Sequence, residues 1–144
     1  MFKRILMAYD GTTAGRAALL ACANIASLSH SEAHLLAVAS MPSTMFLTEG
    51  FVPEELIEVE KKRMQGVLDE GVAALKEKGF AAVGHLAVGE PVEEMSRLAR
   101  ELSCDLIVLG HKQNSSWAKR WWQGSLSKSL LDYAPCSVFI TMTR

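Results

Sequence analysis

Residues 5–12 read Ile5-Leu6-Met7-Ala8-Tyr9-Asp10-Gly11-Thr12, and the fold can be worked out from this stretch. Five consecutive apolar residues end at an Asp-Gly pair, which is typical of a turn. An apolar run without polar alternation predicts a strand that is buried on both faces. Small apolar residues then recur at helical spacing and predict a first helix: Ala14, Ala17, Ala18, Ala21, Cys22 and Ile25. The chain therefore begins with a β-α unit.

This β-α unit is followed by four more apolar runs that predict strands. They cover residues 35–39, 80–88, 106–109 (ending at Gly110) and 137–142. Helices are predicted to begin at Pro53, at Glu90-Pro91 and at Gly124-Ser125, with Leu56 in the buried stripe of the second helix. Buried strands that alternate with helices predict a doubly wound α/β fold. We expect a single domain, residues 1–144, with a five-stranded parallel sheet of order 3-2-1-4-5 and helices on both faces.

The composition excludes several classes of protein. The net charge of -1 provides no general field for nucleic acid or an anionic membrane surface. No stretch approaches the roughly 20 apolar residues of a membrane span. Three widely spaced cysteines, Cys22, Cys104 and Cys136, form no CxxC pair and indicate buried thiols in a reducing compartment. We therefore expect a soluble, cytoplasmic protein.

Two segments with unusual chemistry follow predicted strands. Asp10-Gly11-Thr12 follows the first strand, and Gly110 through Ser125 follows the fourth. Ligands of open parallel sheets bind outside the carboxyl ends of strands, where the strand order reverses. The N-terminus of a helix at Gly124-Ser125 would attract a phosphate. The alternatives are that Ser125 only caps its helix, and that Asp10 only forms a turn or caps the first helix.

Four motifs spread over the whole chain resemble the universal stress protein family. Residues 5–12 resemble its first strand and D-G-S/T turn, and Val88-Gly89-Glu90-Pro91 resembles its V-x-G-x-P step. Residues 104–110 resemble its A-D-L-I-V-M-G strand. Gly124-Ser125-Leu126-Ser127, together with residues 134–138, resembles its C-terminal end. This resemblance implies the fold predicted above and a role in stress responses.

The resemblance also bears on nucleotide binding. ATP-binding members of the family carry the signature G-x2-G-x9-G-[ST], which Gly110 and Gly124-Ser125 match. Gln113 stands where the second glycine is expected, and one extra residue lies within 111–116. Residues 110–113 instead resemble the G-H-x-Q loop of a branch that does not bind ATP. Two interpretations follow: a nucleotide-binding stress regulator, and a nucleotide-free dimeric interaction module.

Carried over to this chain, the resemblance implies ATP or a related adenine nucleotide as ligand, with or without Mg²⁺. Asp10, with Gly11 and Thr12 beside it, would lie near the ribose or the metal-phosphate region. The Val38 backbone would meet the adenine edge. The remaining candidates follow the fourth strand, where they would lie under the nucleotide or hold its phosphates: Gly110, His111, Gln113, Gly124, Ser125 and Leu126. We expect no catalysis, with slow ATP hydrolysis through Asp10 or His111 as a third interpretation.

The sequence also predicts partners. The fifth strand, with Val138, Phe139 and Ile140, is an apolar edge that invites pairing with another chain, and the resemblance implies a homodimer joined along it. Other protein partners stay open. Trp117, Trp121 and Trp122 are predicted to pack as apolar residues, with single-stranded nucleic acid or a partner as alternatives. For the apolar segment 41–52 there are three interpretations: it covers the pocket, it contacts a partner, or it folds onto the second helix.

Overall fold

The computed structural model describes residues 2–40, 54–112, 130 and 132–143. The elements in chain order are β1 (Arg4–Ala8), α1 (Thr13–Ser29), β2 (Glu32–Ser40), α2 (Glu54–Glu77), β3 (Ala82–Gly89), α3 (Pro91–Glu101), β4 (Leu106–Lys112) and β5 (Ser137–Thr143). Of the last predicted helix, Leu130, Asp132 and Tyr133 are described and are helical. Its predicted start at Gly124-Ser125 lies outside the described residues, as do Trp117, Trp121, Trp122 and the segment 41–52.

The five strands form one sheet of order β3-β2-β1-β4-β5, as predicted. Every neighbouring pair is parallel. In the central strand β1, Ile5 pairs with Ala33 of β2 on one side and with Leu106 of β4 on the other. The strand order therefore reverses between β1 and β4, and β3 and β5 are the two edges.

Two apolar cores lie on the two faces of the sheet, because successive side chains of each strand point to opposite faces. The first core joins Ile5 and Met7 of β1, and Tyr9 directly after it, to helices α1 and α2. The second core joins Leu6 of β1 to α3 and to Leu130. Helices on both faces are thus confirmed. Among the described residues, none of the helices combines the length and apolar character needed to cross a membrane.

The predicted opening of α3 at Glu90-Pro91 is confirmed. Pro91 is the first residue of the helix, and the Glu90 side chain accepts a hydrogen bond from the Glu93 amide at 2.9 Å. The expected buried position of Leu56 is wrong, because that side chain is 49% exposed. The buried stripe of α2 begins only at Met64, so the first turns of the helix extend past the core.

Two strands are longer than predicted by three residues or more, and β5 is longer by one. β4 does not end at Gly110 but continues to Lys112, because β5 keeps pairing with it as far as Thr143. β2 begins at Glu32 rather than Leu35, because the polar side chains of Glu32 and His34 form a hydrogen bond with each other. His34 is 5% exposed, and its ring contacts Glu32 Oε1 at 2.9 Å and His85 Nε2 at 3.0 Å. The expectation that His85 is a satisfied strand histidine is confirmed.

Candidate functional site

Asp10 forms the turn that joins β1 to α1. Its Oδ1 accepts hydrogen bonds from the amide of Thr12 at 3.0 Å and from the hydroxyl of Thr12 at 2.5 Å. Thr12 Oγ1 in turn accepts a hydrogen bond from the Gly15 amide at 3.1 Å. An Ncap side chain accepts from the first turn of its helix in this way. Asp10 is therefore the turn residue, and Thr12, not Asp10, caps α1.

Gly11 and Gly110 are placed where a side chain would collide with a helix. Gly11 has φ +85° and lies against Val67 of α2. A Cβ atom at Gly110 would lie 2.1 Å from the carbonyl oxygen of Ala14. Gly110 therefore brings β4 against the backbone of the first turn of α1. It does so from within the strand and not from a loop after it.

The backbone of Val38 lies beyond the end of β1. The last backbone hydrogen bond described between β1 and β2 runs from the Tyr9 amide to the Leu36 carbonyl at 3.0 Å. Alternate residues of a strand direct their N–H and C=O groups to the same side. The N–H and C=O of Val38 therefore point to the side where β1 has ended. Its side chain is partly buried against the second core, so the backbone supplies the polar groups that a ligand would meet.

A polar network that the sequence did not predict lies beside Asp10. Glu70 Oε1 accepts hydrogen bonds from the Tyr9 hydroxyl at 3.1 Å and from Arg16 Nη1 at 3.0 Å. Burial raises the pKa of Tyr9, and the hydrogen bond with Glu70 raises it further. A hydrogen bond with Glu60 raises the pKa of Arg63, and the nearby charge of Asp10 also contributes. Arg16 in the first turn of α1 was the one visible signal, since cations are unfavourable there.

The structure brings part of the predicted site together. Asp10, Gly11, Thr12 and Gly110 surround the first turn of α1 at the carboxyl ends of β1 and β4. The backbone of His111 belongs to β4, and its side chain lies outside the described part. Gln113, Gly124, Ser125 and Leu126 also fall outside the described residues.

A surface groove of about 460 Å³ lies away from these residues, between α2 and β3. Its lining contains none of the candidate residues: Glu58, Val59, Lys61, Lys62, Gln65 and Leu86. Within the ranges described, no three His, Cys, Asp or Glu side chains are grouped so that they could hold a metal ion.

A parallel sheet of order 3-2-1-4-5, with helices on both faces, defines an α/β protein of the adenine nucleotide alpha hydrolase-like fold. A sequence model of the universal stress protein family matches residues 1–141. The chain therefore belongs to the universal stress protein family.

Comparison with individual proteins gives the same result. The chain is 30% identical to the universal stress protein YxiE of Bacillus subtilis, over 97% of this chain and 99% of that protein. A universal stress family protein from Burkholderia pseudomallei superposes with a TM-score of 0.72 at 27% identity, over 96% of this chain and 95% of the other.

Three more distant structures contain adenine nucleotides. One universal stress protein in complex with cAMP has a TM-score of 0.73 at 20% identity, with 99% of both chains covered. A universal stress protein from Archaeoglobus fulgidus in complex with dAMP has a TM-score of 0.63 at 19% identity, with 97% of both chains covered. A universal stress protein family protein from Arabidopsis thaliana with AMP bound has a TM-score of 0.69 at 15% identity, over 99% of this chain and 92% of the other. At these identities the likeness shows the fold alone.

Proposed function

We propose that this chain is a stress-response regulator that binds an adenine nucleotide over the carboxyl ends of β1 and β4. The observation that carries the proposal is the backbone of Val38, whose polar groups lie beyond the end of β1. An adenine edge carries a donor and acceptors, and it suits such a pair of backbone groups. The nucleotides held by three similar folds support the same ligand class.

The described residues fit the rest of a nucleotide in part. Asp10 uses Oδ1 for its turn, and its other carboxylate oxygen has no partner among the residues described. Asp10 is therefore the residue that would meet the ribose or a Mg²⁺ ion held by phosphates. Arg16 and Arg63 are each paired with a glutamate, so they add no net positive charge beside Asp10.

Calorimetry with ATP, AMP and cAMP, with and without Mg²⁺, tests the proposal. We expect dissociation constants in the micromolar range or weaker. Asp10→Asn keeps an oxygen for the Thr12 hydrogen bonds but removes the charge, and should weaken binding about tenfold. Glu77→Gln removes an exposed carboxylate at the end of α2 and should change nothing. Absence of heat with all three nucleotides would overturn the proposal.

A second candidate function, a nucleotide-free interaction module, is favoured by Gly110. The space that its missing side chain leaves is taken by the backbone of α1, so this glycine needs no ligand to explain it. Mass spectrometry of small molecules released from the denatured protein separates the two functions. A released adenine nucleotide supports the first candidate, and an empty protein that also gives no heat supports the second.

We also propose that the chain binds its nucleotide without turning it over. A general base must accept a proton from water. Asp10 Oδ1 already accepts two hydrogen bonds from Thr12, and the other oxygen would be occupied by the ribose or the Mg²⁺ ion. We expect no phosphate release from ATP above that of buffer. Steady release that Asp10→Asn abolishes would assign an ATPase activity instead.

We propose further that two copies pair through β5, in a cytoplasmic homodimer. β5 is an edge strand, and Phe139 on it is 41% exposed. Exposed apolar edges favour pairing with another chain. Phe139→Lys should convert the dimer to a monomer in light scattering at micromolar concentration. Val83→Lys places the same charge on the opposite edge, where the side chain is 51% exposed, and should leave the dimer intact. A monomeric wild-type protein would contradict the proposal.

A further inference from the structure

Two of the three cysteines lie at the starts of neighbouring parallel strands. Cys136 directly precedes β5, and Cys104 lies two residues before β4. The first pair in the register between these strands is Leu106 with Ser137. Adjacent strands are about 4.8 Å apart, and Cys136 is near enough to Cys104 for its charge to raise the pKa of that thiol. The two cysteines therefore lie close together at one end of neighbouring strands.

Both thiols also face the same side of the sheet. Cys104 is a buried member of the second core, and Cys136 is partly buried against that same core. Two backbone hydrogen bonds fix Cys104: its own amide donates to the Ala99 carbonyl at 2.8 Å, and the Asp105 amide donates to the Arg4 carbonyl at 2.9 Å. Both cysteines are free thiols, so the pair shares one core without being joined.

We propose that Cys104 and Cys136 form an intramolecular disulfide when the protein meets a hydroperoxide. The Cys136 thiolate, the less buried of the two, attacks the peroxide. An S–O bond forms and the O–O bond breaks, giving a sulfenic acid and, from hydrogen peroxide, one water. The Cys104 thiolate then attacks the sulfenic sulfur, and hydroxide leaves as a second water. The two thiols lose two electrons and the peroxide gains them.

The surroundings make this reaction slow at neutral pH. Burial raises the pKa of the Cys104 thiol to about 11, with Cys136 and Asp105 adding to the effect. Burial also raises the pKa of Cys136, and the charge of Asp105 adds to it. Arg4 lowers the pKa of Cys104 and Glu32 raises it, each weakly. Because the thiolate is the nucleophile, the rate should rise about tenfold per pH unit between pH 7 and 9. The pair therefore responds to sustained oxidant and not to a brief pulse.

The disulfide would close a loop that contains the candidate phosphate residues. Residues 105–135 lie between the two cysteines and include Gly110, Gln113 and Gly124-Ser125. A cross-link around a loop of this length restricts the unfolded chain and stabilises the folded one. We expect the melting temperature of the oxidised protein to rise by about 5–10 °C, and a thiol reductant to reverse the rise.

The test is oxidation of the full chain with hydrogen peroxide at pH 7, 8 and 9, followed by alkylation of the remaining thiols. The intact mass should fall by about 2 Da before alkylation, as two hydrogens are lost. Trypsin should release peptide 101–112 linked to peptide 129–144, since cleavage follows Arg100, Lys112 and Lys128. Cys22→Ser provides the matched control, because Cys22 lies in the first core on the opposite face, and it should cross-link like the wild type. Cys104→Ala and Cys136→Ala should each abolish the cross-link.

Three results would overturn the proposal. The first is sulfenic or sulfinic acid on Cys136 of the wild type without any linked peptide. The second is a disulfide between the Cys136 residues of two chains, seen as a dimer on a non-reducing gel. The third is cross-linking that requires denaturant. Should a variant fail to fold, reductant-reversible linkage in the wild type and in Cys22→Ser decides the question alone.

Discussion

A single glycine determines how closely β4 approaches α1. The position that a Cβ atom of Gly110 would occupy lies 2.1 Å from the Ala14 carbonyl oxygen and 2.9 Å from the Gly15 nitrogen. Both obstacles are backbone atoms, which cannot rotate away as a side chain can. Gly15 makes a similar approach, since its own Cβ would lie 2.8 Å from Asp10 Oδ1. Two glycines therefore allow the first turn of α1 to lie close to both strand β4 and the turn at Asp10.

Gly110→Ala should destabilise the fold, because the helix must move to admit one methyl group. We expect the free energy of unfolding to fall by about 3 kcal/mol, at the upper end of overpacking effects. Gly66→Ala is the matched control: its Cβ meets nothing within 4 Å, and alanine favours the helix by about 0.5–1 kcal/mol. Urea unfolding of both variants measures the difference. Equal changes in the two variants would contradict the packing argument.

Among the elements, β1 and β4 are held together by a carboxylate as well as by their ladder. Asp105, just before β4, accepts hydrogen bonds from the Lys3 amide at 2.8 Å and the Arg4 amide at 3.0 Å. Burial alone raises the pKa of Asp105, but these amide hydrogen bonds lower it overall. The stabilisation is therefore present at neutral pH and is lost as the pH falls through the lowered folded-state pKa, below about pH 4.

Asp105→Ala should reduce the free energy of unfolding by about 1–2 kcal/mol at pH 7, because two backbone amides lose their acceptor. Asp69→Ala removes an exposed carboxylate that accepts a hydrogen bond from Gln65 on the surface of α2, and should stay within about 0.5 kcal/mol of the wild type. The measurement is urea unfolding at pH 7. A loss for Asp105→Ala no larger than that for Asp69→Ala would show that the amides find water instead.

Strand existence and order could be predicted because the apolar runs of buried strands are continuous. Strand ends could not be predicted, because they depend on contacts between elements. Gly110 looks like a stop signal in sequence, yet it lies within β4 because β5 continues beside it to Thr143. Glu32 and His34 look like loop residues, yet they begin β2 because His34 is bonded to Glu32 and His85.

For the molecule as a whole, the turn at Asp10 and the reversal of strand order between β1 and β4 followed from sequence patterns. The network of Tyr9, Arg16 and Glu70 could not be predicted from the sequence. Its members lie up to 61 residues apart in the chain, and they meet only because α1 and α2 pack on one face of the sheet. The structural use of Gly110 was also missed, since spacing cannot distinguish a glycine that faces a ligand from one that faces a helix.

The stability of the whole molecule should depend on pH through the pair of histidines that joins β2 to β3. Burial lowers the pKa of His85, and the charge of His34 lowers it further. Unfolding then takes up a proton below about pH 6.5, the ordinary value for histidine. The free energy of unfolding should therefore fall between pH 7 and pH 5, by at most about 1.4 kcal/mol per pH unit for this group.

His85→Gln should flatten this pH profile, because an amide can donate to His34 Nδ1 without titrating. Unfolding curves of wild type and variant at half-unit steps from pH 7 to pH 5 provide the comparison. Identical slopes for the two proteins would show that the pair contributes no pH dependence.

The central place of β1 has a consequence for how the chain folds during synthesis. Ile5 meets Ala33 early, but its other neighbour, Leu106, is made only after β2, α2, β3 and α3. During synthesis, the partial sheet formed by β1, β2 and β3 therefore exposes one side of β1 until β4 has been made. At ribosomal speeds of about 5–20 residues per second, this interval lasts several seconds. Closing that side requires a contact between distant parts of the chain, which makes it the slow step. A chaperone that recognises apolar strand edges would act in that interval.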